Sequence, residues 1–196
     1  MPVAVRKYYS EEDFLVLERM SKTKNEYYRG EIFAMSGASY QHNQIASALI
    51  GDIVRHLEGK KCNIFGSDLR VHAWLQSFYT YPDAVIICGE PSFVDKEFDT
   101  IINPTILFEI LSPSTEEYDR TIKLEFYKNI PTLKQYVLID SQKILIEVFT
   151  RQGDHSWLSE KYTNPEEEWT LASINYKSTV KRLYSGVSFK NSQTPS

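Results

Sequence analysis

The chain has no apolar run near the roughly 20 residues needed to cross a membrane. Its first residues, MPVAVRKYYSEED, contain no long apolar core of a secretory signal. Both absences point to a cytoplasmic protein with no membrane partner. Cysteine is scarce, with Cys62 and Cys88 alone. Both fall in strand-like runs and read as small buried hydrophobes, in preference to a disulfide or ligand pair. A basic excess is missing too, with 22 Lys and Arg against 26 Asp and Glu and a net charge of −4. That balance argues against a non-specific nucleic-acid binder. Basic residues do gather locally, at Arg120, Lys123, Lys128 and Lys134, and at Arg55, Lys60 and Lys61. There is no His-Glu-x-x-His, no Cys-x-x-Cys, no phosphate-binding glycine loop and no Gly-x-Ser-x-Gly elbow, and His56, His72 and His155 share no ligand spacing. These gaps remove the usual zinc proteases, P-loop NTPases and serine hydrolases.

A chain of 196 residues can bury one sizeable core. We expect a single domain over residues 1–190 and a disordered polar tail at 191–196. Ser10, with Asp13 three residues on, opens a helix like a capping box. Arg29-Gly30-Glu31 lies between two short runs and reads as a hairpin turn. The best helix runs from Tyr40 to Glu58, where Ile45, Leu49, Ile53 and Leu57 follow helical spacing and His42 begins the inward stripe. From Lys61 to Cys88 the pattern is that of strands. Residues Gly89 to Asn103 read as a polar loop, and PTILFEILS as a strand buried on both faces. Ser114 or Thr115 is expected to cap the next helix, with Ile122, Phe126 and Ile130 facing the core. LKQYVLID and KILIEVFT pair across Asp140-Ser141-Gln142, further antiparallel strands follow, and LYSGVSF packs on an edge. The order helix, three strands, helix, strand implies an α/β fold with a mixed sheet flanked by helices.

The chemistry concentrates between Tyr81 and Lys123. Asp83 and Glu109 each stand beside an apolar run, and a buried unpaired carboxylate is costly. A structural ion pair from Glu109 to Lys123 or Arg120 is one answer, and a cation is another. Glu109 lies about 10 Å back from the strand end at Ser112, at ~3.3 Å per residue. Lys123 lies about 12 Å into a helix that folds back, at ~1.5 Å per residue. The two therefore come level, with Asp119 on the same helix face as Lys123. If the Asp83 strand lies beside the Glu109 strand, the carboxylates converge on a site for a hard cation such as Mg²⁺ or Mn²⁺. Ser112 and Asp119 are supporting candidates. Glu26 and Glu31 read mainly as hairpin surface charges, with Glu31 the one that approaches the metal side.

Pro82-Asp83 and Glu109 resemble the acidic elements of the PD-(D/E)XK nuclease superfamily, the restriction-endonuclease-like fold. More closely, EYYRGEIFAMSGAS with His42-Asn43, then YPDAVII, NPTILFEILSPST, Asp119, Arg120 and Lys123, and LYSGVSF together resemble the Uma family of proposed endonucleases. The likeness covers roughly Ser10 to Phe189. It implies a restriction-endonuclease-like core with an added N-terminal hairpin and C-terminal antiparallel strands. It also implies a Mg²⁺-dependent endonuclease acting on DNA, with Asp83 and Glu109 as metal ligands and Lys123 and His42 completing the catalytic set. The position two after Glu109 is Leu111 where the wider pattern has lysine, so Lys123 on the following helix takes that part. The alternative is a nuclease-fold protein without activity that binds nucleic acid or serves in assembly. A homodimer is expected of an enzyme that cuts both strands.

Overall fold

The computed structural model describes residues 7–153 and 156–189; the tail expected at 191–196 lies outside them. Helix α1 (Glu11–Met20) begins with the expected capping box, in which Ser10 and Asp13 exchange side-chain and backbone hydrogen bonds. Strands β1 (Asn25–Tyr28) and β2 (Glu31–Ala34) form the hairpin. Its turn needs positive φ at both Arg29 (45°) and Gly30 (96°). A Cβ at Gly30 would lie 2.7 Å from Tyr8 Cδ1, so the position admits glycine alone.

Helix α2 (Tyr40–Leu57) follows, capped by Ser39. Then come β3 (Cys62–Gly66), β4 (Arg70–Ala73), β5 (Phe78–Thr80), β6 (Ala84–Cys88) and the two-residue β7 (Thr100–Ile101). The segment read as a loop is thus partly a strand, because Thr100 and Ile101 pair in parallel with Arg70 and Val71. Strand β8 (Ile106–Leu111) is followed by α3 (Glu116–Tyr118), a π-helical turn (Asp119–Lys123) and α4 (Leu124–Lys128). The chain ends with β9 (Gln135–Asp140), β10 (Ile146–Arg151), β11 (Trp157–Tyr162), β12 (Glu168–Leu171), β13 (Tyr176–Thr179) and α5 (Val180–Leu183).

Six strands make the central sheet, in the order β11-β10-β9-β8-β6-β3. Only β8 and β9 run parallel, joined by the α3–α4 crossover; the other pairs are antiparallel. A second sheet, β2-β1-β5-β4-β7, carries the hairpin, and β12 and β13 pair alone. Period two then divides β8. Ile106, Phe108 and Ile110 join the core under α2, together with Trp169, Tyr176 and Leu183. Leu107 and Leu111 face the other way, onto Leu124, Tyr127 and Tyr136. Glu109 shares that second face, between the central sheet and the crossover.

Three other expectations change. No side-chain cap starts α3. Phe126 and Ile130 pack on the core as expected, but Ile122 is 47% exposed, and Lys123, Leu124 and Tyr127 are buried instead. The π turn resets which residues face inward, a local device common near functional sites. Tyr184 of the LYSGVSF piece is buried in the α2 core, where its hydroxyl lies within hydrogen-bond distance of the Asp140 and Leu145 carbonyls.

Cys62 and Cys88 are not separate apolar fillers but a disulfide. Register explains it: the two residues oppose each other across β3 and β6, with Cα atoms 4.0 Å apart. Their sequence spacing carries no sign of a pairing that strand register creates. In the oxidised protein, Cys62→Ser is expected to cost about 2–4 kcal/mol. The shift in urea midpoint between oxidised and reduced wild type measures the same quantity and should vanish in the variant.

Helix α1 buries Phe14 and Leu15 against Tyr27 and Tyr79, and charge ties it further. Arg19 donates to Asp95 and Asp99, and Asp99 also pairs with buried Arg70. The Arg19 guanidinium, opposed by partial burial, holds the Asp99 carboxyl well below its usual range. A depressed carboxyl contributes stability above its unfolded value near 4, and that share is lost as pH falls through the folded value. Asp99→Asn should therefore cost about 1–3 kcal/mol at pH 7 and flatten the acid limb of stability below about pH 4. Urea denaturation across that range is the check, and an unchanged acid limb would contradict the assignment.

Candidate active site

Asp83 directly precedes β6, and the register Ala84↔Phe108 continues to set it opposite Glu109. The two carboxylates therefore come from neighbouring strands on one face. The Asp83 carboxylate accepts from the Ile110 amide at 2.6 Å, which fixes its orientation. His42, in the first turn of α2, places Nε2 2.8 Å from the other Asp83 oxygen. A carboxylate only accepts, so the imidazole nitrogen donates there.

Glu109 is 4% exposed. Its Oε1 accepts from Lys123 Nζ at 3.1 Å and from the Tyr127 hydroxyl at 2.8 Å. Lys123 faces fully inward. Its ammonium lies 3.0 Å from Glu26 Oε1, 3.1 Å from Glu109 Oε1 and 3.3 Å from Asp119 Oδ1. Burial opposes that charge, but Glu109, Glu26 and Asp119 outweigh it and raise the Lys123 pKa well above normal. Burial pushes Glu109 up well above the usual carboxylate range, and nearby Asp119, Asp83 and Glu26 add to the rise. Asp119 is raised as well, by burial first. Four carboxylates thus stand around one ammonium and one imidazole, and buried Asp119 Oδ1 has only its 3.3 Å ion pair with Lys123. The cluster lines the inner end of a cavity of about 480 Å³.

Asp83, Glu109, Lys123, His42, Asp119 and Ser112 all border this cavity. Ser112 sits on its rim, within hydrogen-bond distance of Ser114 and Thr115. Glu31 shares the hairpin face with Glu26 but lies two ladder positions on, at the turn, outside the cavity lining. Glu26 takes the inner place instead. It is buried, accepts from Thr80 at 2.5 Å and Tyr118 at 3.1 Å, and pairs with Lys123. From the sequence it reads as a surface charge, because a two-stranded hairpin does not announce what covers it. Tyr127 carried a readable signal: Asp119, Lys123 and Tyr127 are spaced by four, a polar stripe on one helix face.

Among the described residues, no three Asp, Glu, His or Cys side chains converge to hold a metal by themselves. The donor set still suits a hard cation. It consists of carboxylate oxygens, and it carries more negative charge than one ammonium offsets. A hard cation bound by two carboxylates normally fills its shell with waters.

The sheet order, the parallel β8–β9 crossover and the buried acid–lysine cluster define a restriction-endonuclease-like α/β protein. The chain matches the Uma2 family, described as "Putative restriction endonuclease", over residues 11–180. Two proteins of Synechocystis, each named an uncharacterized protein (slr1290 and sll1609), are 34% identical to it. The first aligns over 92% of this chain and 93% of its own length, the second over 89% and 99%. A solved structure, a "putative nuclease belonging to DUF820" from Anabaena variabilis, shares the fold with a TM-score of 0.72 at 22% identity. That likeness covers 90% of this chain and 98% of the other. The chain belongs to the Uma2 family. Among the described residues, no helix is long and apolar enough to cross a membrane.

Proposed function

We propose that the protein is a Mg²⁺- or Mn²⁺-dependent endonuclease that hydrolyses DNA phosphodiester bonds at the Asp83–Glu109–Lys123 cluster. One observation carries this reading: Asp83 and Glu109 face each other from adjacent strands, with the Lys123 ammonium 3.1 Å from Glu109. Asp83 and Glu109 would hold the cation. A bound divalent ion supplies Lewis-acid polarisation of the phosphate and offsets its growing charge. Lys123, kept protonated by its carboxylates, stabilises the added negative charge of the transition state. His42 and the Ile110 amide keep Asp83 aimed at the cavity.

The test is cleavage of supercoiled plasmid with Mg²⁺ or Mn²⁺ and with EDTA. Nicking that requires the ion and is lost in Asp83→Asn supports the reading. A second reading, a nuclease-fold protein that binds nucleic acid without cutting it, is favoured by the full occupancy of Lys123, whose ammonium already faces three carboxylates. DNA binding with no cleavage under either ion would select that reading.

A further inference from the structure

A second and larger cavity, of about 890 Å³, opens beside the acid site. Ser36, Gly37, His42, Tyr81 and Asp83 border both cavities, so they form one continuous groove. One wall is the α2 face carrying Asn43, Ser47 and Gly51, and the other is formed by Lys24, the 35–38 segment and Ser67. Added Cβ atoms at Gly37 and Gly51 would meet nothing within 4 Å, so neither glycine is there to relieve crowding in the free protein. Lys24 is fixed in place: its ammonium donates to the carbonyl and hydroxyl of Ser67, pairs with Asp68 at 2.6 Å, and lies 5.6 Å from the Tyr81 ring centre. Helix α2 adds its positive end, with no acidic residue in the first turn.

Hydroxyls, amides, backbone N–H groups, one ammonium and a helix N-terminus are the usual partners of a sugar–phosphate backbone. A space of this size suits a short stretch of chain, since cavities of about 300–1,000 Å³ enclose drug-sized ligands. It does not suit a stiff duplex, which carries its phosphates on its outer surface and bends only at a cost. Glu109, Lys123 and Glu26 lie buried at the inner end, so the reacting phosphate must enter the recess. Drawing a nucleotide out of a stack costs a few kcal/mol, and least when it is already unpaired.

Resting on the nuclease reading above, we propose that this groove holds a single DNA strand flanking the bond to be cut, and that unpaired or flapped strands are the preferred substrate. With Lys24 the one lysine or arginine lining the larger cavity, the slope of log affinity against log salt should be near −0.7, given about −0.7 per neutralised phosphate on a single strand.

The experiment is fluorescence anisotropy with a short labelled single strand and the matching duplex, with Ca²⁺ in place of Mg²⁺. Wild type is expected to bind the single strand at least about tenfold tighter than the duplex. Ser47→Trp and Gly51→Trp fill the groove without touching the carboxylate cluster, and each should weaken single-strand binding at least about tenfold with an unchanged circular dichroism spectrum. Leu158→Trp, on the remote edge strand β11, should bind as wild type. Equal affinity for duplex and single strand, or full single-strand affinity in both groove variants, would overturn the proposal. Those results leave the nuclease reading intact if plasmid is still nicked. Tight single-strand binding with no cleavage of any DNA would instead remove the nuclease reading and keep the groove.

Discussion

Glu109→Gln is expected to reduce metal-dependent DNA cleavage at least about 10²–10³-fold, the scale seen when one charge-stabilising group is removed from an active site. Folding should survive, because the amide keeps the shape and relieves part of the burial cost that raises the Glu109 pKa. Lys123 also keeps Glu26 and Asp119 as partners. The stability change should therefore stay within about 1–2 kcal/mol. Plasmid nicking and thermal unfolding, measured on one preparation, separate the two effects. Wild-type nicking in both Glu109→Gln and Asp83→Asn would move the active site elsewhere.

Lys123→Ala is expected to harm stability and turnover together, while changing Mn²⁺ affinity much less. Removing the ammonium leaves three buried carboxylates without their partner, and breaking a buried ion pair in this way costs about 3–5 kcal/mol. The pH dependence gives a sharper signature. Burial already holds Glu109 and Asp119 above their usual range in wild type. Without the lysine their folded values rise further above the unfolded values near 4. A folded state that binds more protons than the unfolded chain loses stability as pH rises. The variant should thus be most stable in mild acid and weaken from about pH 4 upward through the raised folded values. Urea denaturation of both proteins between pH 5 and 8 tests this, and parallel profiles would show that Lys123 does not offset the carboxylates. If turnover and Mn²⁺ affinity fall equally, Lys123 serves mainly to order the carboxylates.

Much of the central sheet was legible because its signals are local. Helix α2 has a regular apolar stripe, β8 and β9 are near-continuous apolar runs, and the hairpin turn at Arg29-Gly30 is marked by its glycine. Rise per residue was enough to bring Lys123 level with Glu109. What escaped depends on tertiary pairing. Residues Thr100 and Ile101 become a strand only because β4 offers a parallel edge. Cys62 meets Cys88 only through the β3–β6 register. The π turn at Asp119–Lys123 brings Asp119 and Lys123 inward and leaves Ile122 exposed, and no propensity scale marks it. Glu26 follows the same rule: its burial comes from the crossover above it, with Tyr118 and Lys123 reaching down to its carboxylate. The hairpin sequence points to Glu31 rather than Glu26, and the ladder position reverses that choice.

The most direct test of the account is the anomalous difference map of a crystal soaked in Mn²⁺. A peak is expected between the Asp83 and Glu109 carboxylates, with water completing the shell, and it should be lost in Asp83→Asn crystals. Peaks only at other carboxylates, with Asp83 and Glu109 unshifted and still engaged with His42 and Lys123, would contradict it.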